Sequence, residues 1–124
     1  MNVRWMAVLT GFVVDYAISA LLTLFVAPQF FAAPDPTSPG DLIMIALLTL
    51  STGVGGFVAG RMAGSSRALN GLLVAIVGIL LNQLGPPLPR VLVISSAIAC
   101  GVAALGGYLS RFPDQQPSRS SRRQ

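Results

Sequence analysis

Four apolar runs, at residues 5–27, 42–60, 68–85 and 91–109, take up most of the chain and leave it few ways to fold. Each is close to the roughly 20 residues that an α-helix needs to cross about 30 Å of hydrocarbon at ~1.5 Å per residue. The third is the shortest. Hydrophobic residues make up 53% of the 124-residue chain and charged residues only 10%, a balance foreign to a soluble domain of this size. The sequence therefore predicts an all-α membrane protein: a four-helix transmembrane bundle over 1–110, followed by a disordered, Arg- and Ser-rich tail over 111–124 that has too little apolar content to bury a core. A cleaved signal peptide is the rival reading of the first run. It fits poorly, because the run is long, carries Asp15 in its middle, and has Pro after each candidate small-residue site, Ala27 and Ala33.

The second run narrows toward its end in a way that specifies contact. Thr52, Gly56, Gly60 and Gly64 recur every four residues, and Ser51, Gly55, Ala59 and Ala63 form a neighbouring stripe. Lipid tails are as apolar as leucine, so helices in a bilayer associate through close packing, and small residues permit it. Gly11 in the first run, Gly71 and Gly78 in the third, and Ala99, Ala103 and Gly107 in the fourth extend this set of helix-packing candidates. The short Arg61–Arg67 link makes the second and third helices antiparallel neighbours. Asp41, which follows Gly40, is placed to cap the second helix.

Charge placement gives an orientation. Arg4, Arg61, Arg67, Arg111, Arg119, Arg122 and Arg123 fall on one side of a four-span layout, and Arg90 alone on the other. By the positive-inside rule both termini are cytoplasmic. Trp5, Arg61, Arg67 and Arg111 are then lipid headgroup anchors, with Phe30 and Phe31 at the opposite interface. The basic tail adds attraction to acidic lipid, and nothing interleaves aromatic residues with its charges as nucleic-acid binding would require.

The chemistry on offer is sparse. Without histidine and with Cys100 as the only cysteine, the chain cannot form an internal disulfide or supply the usual ligands for zinc or haem, so no metal or cofactor is expected. Serine without a base makes no nucleophile, which argues against an enzyme. Asp15 is the exception. It lies roughly 15 Å into the first span at the helical rise, on a stripe with Ala7, Gly11, Ser19 and Thr23. A carboxyl at that depth should face protein, with Thr49 or Thr52 of the second helix as hydrogen-bond partners, and could serve as a proton or ion site.

Gly55-Gly56-Phe57-Val58-Ala59-Gly60-Arg61-Met62-Ala63, followed by Asn70-Gly71, resembles a family of small bacterial four-span membrane proteins with no assigned activity. In that family Gly-Gly-x-x-Ala-Gly-Arg-x-Ala closes the second span and a polar residue followed by Gly opens the third. The resemblance covers this stretch and the span layout, and implies a bacterial inner membrane but no reaction. Where the family has His, this chain has Asn70, so a role needing imidazole does not carry over. The sequence as a whole favours a non-enzymatic structural or accessory subunit that packs through its Gly/Ala faces against a second copy or another membrane complex. The alternative is a small proton-coupled transporter or channel, dimeric, using Asp15.

Overall fold

A computed structural model describes residues 2–26, 34–84 and 90–112. Among them are four helices and no strand: α1 (Trp5–Phe25), α2 (Pro39–Ala63), α3 (Arg67–Asn82) and α4 (Arg90–Leu109). Helices α1, α2 and all but the first residues of α4 are long and apolar enough to cross a membrane, and they mark a multi-pass membrane protein. At 16 residues α3 is shorter, about 24 Å at the helical rise.

Helix α2 is longer than the sequence suggests, because Pro39 fits the first helical turn, where a missing N–H leaves no bond unmade. Asp41 thus falls inside the first turn and caps nothing. Its carboxylate instead accepts the Asp35 amide at 2.8 Å. The Thr37 hydroxyl and amide donate to Asp35 at 2.7 and 2.9 Å and hold that exposed carboxyl below its ordinary value. At the other end α2 runs through Arg61 to Ala63, so the link to α3 is only Gly64 to Ser66. Gly64, at φ +72°, takes the backbone conformation that reverses the chain there. Phe30, Phe31 and residues 113–124, with Arg119, Arg122 and Arg123, lie outside the described residues.

Helix α2 packs on all three others, α4 packs on α2 and α3, and α1 packs on α2 and to a lesser degree on α3. The contacts are made by bare backbone. A Cβ built on Gly11 would lie 2.5 Å from the Gly55 carbonyl oxygen and 2.8 Å from the Ala59 methyl. One built on Gly55 would lie 2.6 Å from the Gly11 carbonyl oxygen, so the α1–α2 crossing is reciprocal. On the α4 side a Cβ at Gly56 would collide with the Ala103 carbonyl, one at Gly60 with Gly107 Cα at 2.7 Å, and one at Gly71 with the Ala103 carbonyl at 2.5 Å. Gly53 and Gly106 meet in the same manner. Backbones at this separation make Cα–H···O contacts as well as dispersion contacts.

These crossings are not spread evenly. The buried residues of α1 are Ala7, Val8 and Gly11, all in its first half, and those of α3 are Asn70, Gly71, Val74 and Ala75, also in its first half. Buried positions of α2 concentrate from Ser51 to Ala63, and α4, besides Leu92 near its start, buries Ala103, Gly106 and Gly107, with Ser110 buried just past its end. Every helix is therefore gripped at the end nearest Arg4, Arg61, Arg67 and Arg111. At the opposite end Met44 and Leu92 pack with Leu22, Ile45 and Leu48, which closes one side. The last turns of α3 stand away there, with Ile76, Leu80 and Leu81 exposed. Two polar contacts fasten the gripped end. Asn70, fully buried, accepts the Arg4 amide at 2.9 Å and donates to Ser66 O at 3.0 Å and Asn2 O at 3.3 Å. Arg67 donates to Gly64 O and Ser110 O, both at 3.0 Å, and joins the α2–α3 turn to the end of α4.

Gly56→Val should overpack the α2–α4 crossing and destabilise the chain by about 1–3 kcal/mol. Gly101→Ala, where an added Cβ meets nothing within 4 Å, should leave stability unchanged or slightly raised. Reversible unfolding in detergent monitored by circular dichroism measures both.

Candidate functional site

Because the helices close at one end and part at the other, they leave a partly open cavity of about 890 Å³ between them. All four contribute to it: α1 from Phe12 to Leu24, α2 through Leu48, Thr49 and Thr52, α3 through Gly78, Leu81 and Asn82, and α4 from Leu92 to Ala99. Most of the wall is apolar. Seven hydroxyl residues nevertheless face it, namely Tyr16, Ser19, Thr23, Thr49, Thr52, Ser95 and Ser96, together with Asn82 and Asp15. No basic side chain lines it among the described residues.

Several of these hydroxyls are held by their own helices. Thr23 donates to Ser19 O at 2.8 Å, Thr49 to Ile45 O at 2.8 Å, and Ser95 and Ser96 to Leu92 O at 2.9 and 2.7 Å. Back-bonding of this kind satisfies a hydroxyl inside a helix while leaving its lone pairs turned outward.

Asp15 is treated differently. It sits one helical turn beyond the Gly11–Gly55 crossing, where α1 and α2 are closest, and a Cβ at Gly55 would come within 2.9 Å of its own Cβ. That approach brings the α2 hydroxyls to the carboxylate. Ser51 lies 2.7 Å from Asp15 Oδ1, Thr52 3.2 Å and Ser19 3.4 Å from the same oxygen. Ser19 and Ser51 are 2.8 Å apart, and with one proton each the consistent arrangement has Ser19 donating to Ser51 and Ser51 to Asp15. Ser51 and Thr52 also lie 2.8 and 3.2 Å from Leu48 O, an acceptor on their own helix. All three hydroxyls converge on Oδ1, and Oδ2 accepts no hydrogen bond among the described residues. Since no side-chain oxygen among the described residues is buried without a partner, Oδ2 is not fully buried, and Asp15 is one of the residues that line the cavity.

The residues singled out in the sequence divide accordingly. Gly11, Gly55, Gly56, Ala59, Gly60, Gly71, Ala103 and Gly107 are buried at helix crossings. Gly78 and Ala99 line the cavity instead, and a Cβ on Gly78 would have ordinary clearance of 3.8 Å from Phe12. Gly64 is exposed at the turn. Thr52 bonds Asp15, whereas Thr49 shares the cavity and bonds its own backbone. Ser51, which pattern alone placed among packing residues, is the shortest partner of Asp15, and Ser19 completes the network. Trp5, Arg61 and Arg111 are exposed at helix ends, Arg111 with its guanidinium 3.5 Å from the centre of the Tyr108 ring. Gly53 and Gly106 also meet at the α2–α4 crossing, a contact that the four-residue stripes of α2 do not mark.

No protein family, curated protein or solved structure matches this chain. The site must therefore be read from its own geometry. No group of three or more His, Cys, Asp or Glu residues comes together among the described residues. What the arrangement offers is a single carboxyl group, hydrogen-bonded by hydroxyls on one oxygen, in the wall of a space large enough for a small organic molecule. The small-residue faces, by contrast, are taken up by the chain's own helices.

A double-mutant cycle should find Asp15→Ala and Ser51→Ala coupled by about 0.6–1.7 kcal/mol, the range for hydrogen bonds between membrane helices. The same cycle with Thr49→Val should be additive within about 0.3–0.5 kcal/mol. Unfolding free energies in detergent supply both values.

Proposed function

We propose that this protein is a small solute carrier or channel of a bacterial inner membrane, with four spans and both termini cytoplasmic, that takes a cation at Asp15. The single observation that carries this reading is the place of Asp15 in the wall of a cavity lined by all four helices, with no basic side chain among the described residues that line it. A carboxylate in the membrane interior is expensive unless it is paired, and such residues mark ion and substrate paths. The hydroxyl cluster on Oδ1 positions the group and leaves its charge for something that enters. With α3 counted as a tilted or locally thinned fourth span, the arginine distribution puts the gripped end at the cytoplasm and the cavity mouth toward the opposite side.

The accessory-subunit reading drew its support from small faces available to a partner. With those faces occupied within the chain, the cavity is the better-supported basis for function. A homodimer is compatible with the carrier reading, since the exposed apolar sides of α1 and α4 meet lipid or a second copy equally well.

The test is flux of monovalent cations into proteoliposomes, measured for the full chain and for Asp15→Asn. The carrier reading predicts flux above that of empty liposomes, reduced at least ten-fold by Asp15→Asn while the variant still reconstitutes at wild-type yield. Absence of flux from the intact chain, together with stoichiometric co-purification of another membrane protein from its own cells, would favour the accessory role.

A further inference from the structure

The cavity also says what kind of cation it suits. We infer that its ligand is an organic monocation, an ammonium group carrying an apolar body, bound with the ammonium at Asp15 and the body against the apolar walls. The inference rests on the reading of Asp15 as a cation site and adds the chemical class.

Charge sets the valence. Asp15 is the only ionisable carboxyl among the described residues lining the cavity, and no basic residue offsets it, so one positive charge gives neutrality. Size and surface set the rest. A space of about 890 Å³ is far larger than a bare ion needs and falls in the range of pockets that enclose drug-sized organic ligands behind mostly apolar walls. An alkali ion stripped of its water requires a full shell of oxygens in place of the hydration it gives up. Around Asp15 the hydroxyls of Ser19, Ser51 and Thr52 gather on the one oxygen Oδ1, and no hydrogen bond reaches Oδ2 among the described residues, so this cluster is built about a carboxyl oxygen and not about an ion. An ammonium with a hydrocarbon body needs only the one carboxylate and gains from the remaining surface.

Two rings beside the carboxylate fit the same ligand. Phe12 and Tyr16 flank Asp15 on α1, both line the cavity, and their centroids are 6.1 Å apart at an interplanar angle of 34°. Ring faces attract ammonium groups, most strongly where water is excluded. Leu24, Leu81 and Leu92 supply apolar wall on the side of Asp15 away from the Gly11–Gly55 crossing, beside Thr23, Asn82, Ser95 and Ser96. A mostly apolar wall around one carboxyl group suits a cationic head that carries a hydrocarbon body.

Equilibrium dialysis of the full chain in nanodiscs, corrected for uptake by empty nanodiscs, tests this with four probes at equal ionic strength: hexyltrimethylammonium, tetramethylammonium, hexanol and sodium ion. The expected result is saturable binding of one hexyltrimethylammonium per chain, at least ten-fold tighter than tetramethylammonium, with no saturable hexanol binding and no competition by equimolar sodium. Asp15→Asn should weaken it at least ten-fold. Gly78→Leu, which fills the space beside Phe12 without touching the Asp15 network, should also weaken it at least ten-fold, and guards against a folding defect in the first variant. Saturable sodium binding that depends on Asp15 and excludes hexyltrimethylammonium would overturn the organic-cation inference and leave the cation-site reading intact. If no probe binds in an Asp15-dependent way, both are overturned.

Discussion

Direct approach of helix backbones at one end of the bundle is the constraint from which the other features follow. Where Gly55 meets Gly11, and Gly56, Gly60 and Gly71 meet Ala103 and Gly107, there is no room for a side chain. In hydrocarbon solvent the gain comes from dispersion and Cα–H···O contacts, both of which vanish within an ångström or so of separation. Helices pinned so closely at one end part on the α3 side at the other, while Met44 and Leu92 keep α2 and α4 in contact there. The cavity is the geometric consequence of that divergence, and the buried Asn70 and the Arg67 contacts to Gly64 and Ser110 keep the pinned end from sliding.

The same crossing governs Asp15. One helical turn past the Gly11–Gly55 contact the α1 and α2 surfaces are still near enough for hydroxyls on α2 to reach a carboxyl on α1 that also lines the cavity. A larger residue at Gly11 or Gly55 would therefore act on the site as well as on the packing. Ser51 and Thr52 each lie about as near the Leu48 carbonyl as they do Asp15 Oδ1. With a single proton apiece, they can hold α1 through the carboxylate or turn back to their own helix. Occupation of Asp15 by a positive charge thereby bears on how firmly α1 is held to α2.

Much of this architecture was legible in the sequence, for reasons that differ by feature. The helices follow from apolar runs of bilayer length, and the depth of Asp15 follows from counting residues along α1. The small stripes of α2 announced close contact, but periodicity along one helix cannot say which neighbour a stripe meets. That Gly55 and Ala59 face α1 while Gly56 and Gly60 face α4 depends on the packing of all four helices together. The choice of Ser51 over Thr49 as the partner of Asp15 has the same origin. Both were visible as hydroxyls at the right level of α2, and only the rotation fixed by the Gly11–Gly55 crossing selects between them. Helix ends were less legible, since Pro39 reads equally well as loop or as the first residue of a helix. The cavity had no sequence signature, because it is made by residues of four helices where they stop touching.

The most direct test of this account is the water accessibility of the two ends, measured by single cysteines in a Cys100→Ala background with a water-soluble thiol reagent in nanodiscs. The account predicts that Ser96→Cys, on the cavity wall, reacts readily and is blocked when Gly78→Leu is added, whereas Ala103→Cys, at the α2–α4 crossing, stays unreactive. Equal and negligible labelling of both positions in folded protein would mean that the helices close along their whole length, and would contradict it.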